Sequence, residues 1–380
     1  MRRLTFIDFF AGIGGFRLGL ERAGMKCVGF CEKDKFAVKS YNAMYNTEGE
    51  WYSDDIEKLK SSDIPRADIW TAGSPCQNVS IAGERAGIHG DRSGLFFKFA
   101  DLLKGKKEED KPRWIIVENV KGLLSSNKGF DFIEYLAELD ESGYGLEWQV
   151  LNSKDYGVPQ NRERVYTVGH LRSGRGREIL PIEGDNTATL KQVIGGKQGY
   201  RVYETSGISA TLMGESGGIG AKTGLYFIDQ SETTPKITKD ARTIIARYTS
   251  GMTNRRAANS AVMEIKIRNG AERGHDTAAF GGGVTLRRPD AKEKWGRGGH
   301  AVPRTLTYGN NHDAVVWNGK EVRIRRLMPR ECFRLQGFPD ALFEKAQAVN
   351  SDTQLYKQAG NAATVNVVYA IGKKIAESTL

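Results

Sequence analysis

The sequence predicts an α/β fold: a doubly wound, mostly parallel sheet with a second, smaller region rich in loops and strands. Three observations predict it. Short apolar runs alternate with helix-like stretches over the first 170 residues, composition and charge change near Leu171, and helical character returns over the last fifty residues. At 380 residues, 39% of them hydrophobic, the chain has ample material for a core and exceeds one average domain.

The elements follow in order. Leu4–Phe9 reads as a strand, followed by a glycine turn and the amphipathic stretch Gly14–Ala23. Lys26–Cys31 reads as a second strand and Lys35–Tyr45 as a helix. Ile69–Ala72 and Trp114–Val117 are further apolar runs, each ending in a polar cluster. Asp131–Leu139 has helical spacing, and Trp148–Leu151 and Arg164–Val168 read as strands. In such sheets ligands sit beyond the carboxyl ends of strands, where these polar clusters fall. Residues 171–330 hold 23 of the 45 glycines and lose helical periodicity. Their echoes, Ala210-Thr211-Leu212, Ala241–Ile244 and Arg304-Thr305-Leu306, each lead to a short apolar run: Leu225–Ile228, Ala261–Ile265 and Ala314–Trp317. These read as repeated loop-and-strand units, with a long flexible insertion as the alternative. Helices are predicted again from Pro329–Leu335 and over Asn366–Ala376.

Charge follows the same division. Residues 1–170 carry 24 Lys and Arg against 26 Asp and Glu, whereas residues 171–330 carry 27 against 15. A basic segment between neutral ones suggests a polyanion-binding module set into an enzyme-like body, the alternative being a solvated basic surface. No stretch approaches the roughly 20 apolar residues of a membrane helix. The N-terminus reads straight into a strand and lacks a signal peptide's apolar core. The four cysteines, Cys27, Cys31, Cys76 and Cys332, form no CxxC pair, which fits a reducing cytoplasm. Cys27 and Cys31 have no histidine or second cysteine pair nearby, so no metal is expected.

Five motifs bear on chemistry. Asp8-Phe9-Phe10-Ala11-Gly12-Ile13-Gly14-Gly15-Phe16 runs from a strand through a glycine turn into a helix, where backbone passes close to a ligand. It departs from a dinucleotide fingerprint because Arg17 stands at the third glycine, while Glu32 follows the second strand where such folds hold ribose hydroxyls. Gly73-Ser74-Pro75-Cys76-Gln77-Asn78 places a cysteine between a proline and a polar loop, a setting that suits a nucleophile. In Trp114–Val120, Glu118 ends an apolar strand, either as a helix-capping acid or as a partner to a substrate ring. Gln160-Asn161-Arg162-Glu163-Arg164 alternates arginines around a carboxylate, a pattern also found in surface ion pairs. Gln358-Ala359-Gly360-Asn361 precedes the terminal helix, and its small residues permit close backbone approach.

Together, in this order and spacing, these motifs resemble the DNA (cytosine-5)-methyltransferase family of prokaryotic or phage type. The resemblance covers residues 4–170 and 322–376, the last part including Arg326–Cys332. It implies the sheet of adenosylmethionine-dependent methyltransferases, a discontinuous catalytic domain (1–170 and 322–380) and a target-recognition domain over 171–321. It implies methyl transfer from S-adenosyl-L-methionine to C5 of cytosine in a specific duplex DNA sequence, with no metal.

By the same resemblance Cys76 is the nucleophile, Glu118 serves the ring nitrogen N3, Arg164 contacts the flipped base and Arg162 helps hold the catalytic loop. The cofactor residues implied are Phe10 against adenine, Ala11, Gly12, Gly14 and Gly15 in the loop, Glu32 on the ribose, Asp55 with Ile56 near the adenine amino group, and Asn361 on the methionine side. One departure stands out. The position after the ribose acid is often bulky and apolar or aromatic in this family, and here it is Lys33, whose stem can still cover a ring face.

The chemistry explains these residue types. C5 of cytosine is a poor nucleophile until a thiolate adds at C6 and breaks the aromaticity. A hydrogen bond or proton at N3 stabilises the charge pushed into the ring. The base must leave the duplex, at a cost of a few kcal/mol. The alternatives are a tRNA cytosine-5 methyltransferase, whose recognition region is usually shorter, and a non-catalytic DNA-binding relative, which should lack Cys76 or Glu118. A monomer acting on DNA in the cytoplasm is expected, with any cognate restriction endonuclease acting separately. Base-reading candidates lie in Arg242–Arg256 and Arg297–Asn311, where Arg, Asn and Thr cluster among glycines.

Overall fold

The structure, a computed structural model, describes residues 2–73, 94–174, 178–184 and 327–379, together with short pieces of the intervening region. The chain forms two compact units, one of residues 1–187 with 329–380 and one of residues 188–328.

The first unit is built on a seven-stranded sheet. Its strands are β1 (Thr5–Phe9), β2 (Lys26–Cys31), β3 (Trp51–Ser53), β4 (Ile69–Gly73), β5 (Trp114–Val120), β6 (Tyr144–Asn152) and, after the two-residue β7 (Gln160–Asn161), β8 (Glu163–Leu171). The order is β3-β2-β1-β4-β5-β8-β6. Neighbours are parallel as far as β5, and β8 runs antiparallel to both β5 and β6. The chain steps outward from β1 to β3 and then returns to the other side of β1. A topological switch point therefore lies between β1 and β4, where such sheets bind ligands.

The central strands read as apolar runs because both faces are covered. Successive side chains of β5 alternate, Trp114 and Ile116 joining one buried cluster and Ile115 and Val117 the other. On the first face lie α1 (Gly15–Arg22) and α8 (Val365–Thr379), through Phe16, Leu20, Val367, Val368 and Ile371. On the second lie α3 (Gly94–Lys104) and α4 (Phe130–Glu141), through Phe96, Phe99, Leu103, Phe132 and Tyr135. α2 (Lys35–Met44) starts at the Asp34 cap, whose carboxylate accepts from Phe36 N and Ala37 N. Its Tyr41 stacks on Phe30 with ring centroids 4.1 Å apart.

The C-terminal segment adds α5 (Pro329–Leu335), α6 (Asp340–Gln347) and α7 (Asp352–Asn361) before α8. It joins the N-terminal part by close packing and by a buried polar chain. A Cβ on Gly15 would lie 2.3 Å from Ala363 O, and one on Gly19 would lie 2.6 Å from Val368 Cβ, so only glycines allow α1 this near. The Gln336 amide donates to Ala359 O (2.8 Å), the Thr364 hydroxyl donates to Gln336 Oε1 (2.9 Å), and Ser153 Oγ lies 2.8 Å from Thr364 Oγ1. Gln160 Nε2 donates to Leu335 O at 2.8 Å.

The first unit continues past the sequence-predicted boundary at 170 for a visible reason. On edge strand β6, Glu147 accepts from Ile179 N and Leu180 N, and Gln149 exchanges two hydrogen bonds with Ile182. These side chains hold residues 178–184 as a strap whose Ile179 and Ile182 enter the core.

In the second unit the described strands are β9 (Gln192–Ile194), β10 (Val202–Tyr203), β11 (Ser209–Ala210), β12 (Leu225–Asp229), β13 (Ile265–Ile267), β14 (Asp276–Ala278), β15 (Gly283–Val284), β16 (Ala314–Trp317) and β17 (Lys320–Arg325). Six form a sheet in the order β15-β16-β17-β12-β10-β9, and β13 pairs with β14. β17 pairs with β12 and β16, which sets it in this unit. The runs at 225–228 and 314–317 are thus strands, whereas residues 261–264, 241–244 and 304–306 lie outside the described residues. Among the described residues no helix is long and apolar enough to cross a membrane.

Candidate active site

The strand ends on either side of the switch point carry most of the predicted residues. After β1 the chain turns through Phe10 at φ 55°, Gly12 at φ 55° and Gly14 at φ 78°. Glycine accepts that conformation freely, whereas for a bulky residue such as Phe10 it costs on the order of 1 kcal/mol or more. Hydrogen bonds hold the loop in place. Ala11 N donates to Cys31 O (3.1 Å), Gly14 N to Ala11 O (2.8 Å) and Gly12 N to Glu32 Oε2 (2.8 Å). The other Glu32 oxygen accepts from Asp34 N at 2.7 Å. Burial raises the Glu32 carboxyl above its ordinary range, against these two backbone bonds. Glu32, predicted on the ribose, thus also clamps the glycine loop to the end of β2.

Asp8 lies near the end of β1, just before the loop. It is fully buried, accepts from the Thr71 hydroxyl at 2.8 Å, and its Oδ2 has no hydrogen-bond partner in the structure. Burial pushes its carboxyl up to about 8. In its motif Asp8 has no role assigned by sequence alone. The available signal was an acid between Ile7 and Phe9 in a strand buried on both faces.

β2 and β3 pair in parallel with Cys31 opposite Ser53, which brings the residues two further on, Lys33 and Asp55, together. Asp55 is buried, with Oδ1 accepting from Glu57 N (3.1 Å) and Oδ2 3.0 Å from Lys33 Nζ. Ile56 beside it is buried. Asn361 is the exposed last residue of α7. Gln358, quoted in the same motif without a role, is buried and fastens α7 to α2. It accepts from Ser40 Oγ at 2.8 Å and donates to Phe36 O at 3.0 Å.

On the other side of β1, Glu118 lies on β5 opposite Gly73 of β4. It is 8% exposed, and its Oε1 is 2.9 Å from Arg164 Nε on β8. The arginine is therefore a partner of the carboxylate across a strand pair. Arg162, two residues earlier, is buried, and its Nη2 donates to Ala362 O at 3.1 Å. Burial pulls its guanidinium down to about 9. Cys76, together with Arg242–Arg256 and Arg297–Asn311, lies outside the described residues. The three cysteines in the structure are buried, and burial pushes the Cys27 and Cys31 thiols up to about 12, where neither is a thiolate at neutral pH. Among the described residues no group of three His, Cys, Asp or Glu is placed to hold a metal.

A mostly parallel sheet with one reversed strand, and a glycine loop with acids at the next two strand ends, defines the methyltransferase class of α/β fold. The same fold occurs in the methyltransferase EhMeth of Entamoeba histolytica (TM-score 0.61, 15% identity, all of both chains) and in the Dnmt2 methyltransferase of S. pombe (TM-score 0.56, 16% identity, all of both chains). The family model for C-5 cytosine-specific DNA methylases matches residues 4–377, and the chain belongs to that family. Type II methyltransferase M.NlaX of Neisseria lactamica is 33% identical over 373 residues, covering 97% of this chain and 95% of the relative. Orphan methyltransferase M.SPRI of Bacillus phage SPR is 31% identical over 450 residues, covering 99% and 98%.

Proposed function

We propose that this chain transfers a methyl group from S-adenosyl-L-methionine to C5 of cytosine within a specific sequence of duplex DNA, on a base flipped out of the helix. The observation that carries the reading is the placement of Glu118. It is a buried carboxylate held by Arg164, opposite Gly73, from which the chain runs three residues to Cys76.

The residues past β1 and β2 fit the cofactor. A Cβ on Gly12 would point into open space beside a loop fixed by Glu32, and two buried or half-buried carboxylates suit a ribose diol and an adenine amino group. When bound, S-adenosylmethionine supplies the electrophilic methyl group. Phe10 covers the adenine, Ala11, Gly12, Gly14 and Gly15 give close backbone approach, Glu32 takes the ribose, Asp55 and Ile56 the adenine edge, and Asn361 the methionine end.

Cys76 attacks as thiolate, forming a bond to cytosine C6 while Glu118 meets the charge at N3. Arg164 orients Glu118 and contacts the base, and Arg162 ties this region to the C-terminal segment through Ala362. After transfer the C5 proton leaves and the Cys76–C6 bond breaks, returning the thiolate and giving 5-methylcytosine. Residues 171–321 choose the target, their basic side chains on phosphates and a few polar ones on base edges. The protein acts in the cytoplasm as a monomer, and any cognate restriction endonuclease acts separately.

The test is to incubate plasmid DNA and, separately, tRNA with protein and cofactor, followed by bisulfite sequencing. Protected cytosines at one recurring duplex sequence are expected. Methylation of tRNA alone, or of neither, refutes the reading.

A further inference from the structure

We propose that Lys33 is a positioning residue of the cofactor site, holding the Asp55 carboxylate for the adenine amino group; this rests on the cofactor reading above. The register of β2 against β3 sets Lys33 and Asp55 side by side. The ammonium lies 3.0 Å from Asp55 Oδ2 and 3.0 Å from Glu57 Oε2, so one cation is shared by two carboxylates. The backbone N–H of Glu57 donates to Asp55 Oδ1, so both carboxylate oxygens have a partner.

The exposures of the two side chains differ sharply. That of Asp55 is 9% exposed, while that of Lys33 is 65% exposed, its stem lying at the rim of the site. Exposed ion pairs contribute roughly 0–1 kcal/mol to folding, so this pair does little for stability. Its consequence is local. A buried acceptor is held in one orientation by a rim cation, and four methylenes can cover a ring face at the place where an aromatic side chain would do so by stacking. Lys58 stands 3.8 Å from Asp55 Oδ2, too far to fix its direction.

Charge rather than a ring at this position makes cofactor affinity salt-dependent. Screening shortens from about 10 Å at 0.1 M salt to about 3 Å at 1 M, and the exposed Lys33 ammonium, rather than the buried Asp55, is where salt weakens the pair.

The test is calorimetric binding of S-adenosylhomocysteine to the full chain at low and high salt, for wild type, Lys33→Met and Lys33→Arg. Lys33→Met keeps the stem and removes the charge. It should bind about 3- to 10-fold more weakly at low salt, lose most of the salt dependence seen in wild type, and melt at the wild-type temperature. Lys33→Arg should recover affinity to within about 2-fold and restore the salt slope. A purely structural role would move the melting temperature and leave the slope alone. Equal affinity of Lys33→Met and wild type at every salt concentration overturns the proposal. So does tighter binding by Lys33→Met, which would make Lys33 a competitor for Asp55. Failure of wild type to bind S-adenosylhomocysteine refutes the cofactor reading itself, and the role of Lys33 falls with it.

Discussion

Replacing Gly19 by alanine sets two effects of opposite sign against each other. Gly19 is inside α1, where alanine is favoured over glycine by about 0.8–1 kcal/mol, so helix propensity alone makes the substitution stabilising. The structure argues the reverse. The added Cβ would lie 2.6 Å from both Cβ and Cγ1 of Val368 and 2.8 Å from Val365 O, about 1 Å inside ordinary contact. A branch-point carbon and a backbone oxygen cannot swing away, so α1 and α8 must separate. Overpacking of this kind costs typically 1–3 kcal/mol, and two rigid neighbours place this site toward the upper end. The expected balance is a loss of about 1–2 kcal/mol, read from urea midpoints at unchanged slope. Adding Val368→Ala removes one contacting atom and should recover part of the loss. If Gly19→Ala is as stable as wild type or more so, the two segments of the first unit do not meet as closely as described.

Three further outcomes are expected. Asp8 has a carboxyl raised to about 8 by burial, so between about pH 4 and 8 the folded state keeps a proton that the unfolded chain releases. Stability from this group is present below pH 4 and lost as pH rises to 8, at up to about 1.4 kcal/mol per pH unit; Asp8→Asn should flatten that slope, and parallel pH curves for the two proteins would refute it. Gln358→Ala leaves buried Ser40 Oγ without its Gln358 acceptor and Phe36 O without its Gln358 donor, and should cost about 1–3 kcal/mol by urea denaturation and weaken S-adenosylhomocysteine binding. Deleting residues 329–380 removes α8 from α1 and should abolish S-adenosylhomocysteine binding although the glycine loop remains, and near-normal affinity in calorimetry would contradict a shared site.

Local rules made much of this legible. β1, β4 and β5 announce themselves as apolar runs because both their faces are covered, and the glycines at 12 and 14 stand where φ must be positive. What was missed depends on distant partners or on length. β3 is three residues, too short for a period of two to register. α3 confines its charged residues to the narrow stripe Lys98, Asp101 and Lys104, beside an otherwise apolar run from Leu95 to Leu103 that gives no clear helical period. The strap at 178–184 is held by Glu147 and Gln149, polar residues on an edge strand whose partners appear only in three dimensions. Asp8 and Gln358 were visible as motif letters, but their roles come from Thr71 and Ser40, which are 63 and 318 residues away.

The central claim is that Cys76 makes a covalent bond to a cytosine of duplex DNA. The most direct measurement uses plasmid DNA carrying 5-fluorocytosine, which blocks loss of the group at C5 and so prevents release of the enzyme. After incubation with S-adenosylmethionine, denaturation and nuclease digestion, mass spectrometry should find one modified peptide, with the nucleotide on Cys76. No adduct, or an adduct on Cys332 or any other residue, would contradict the account.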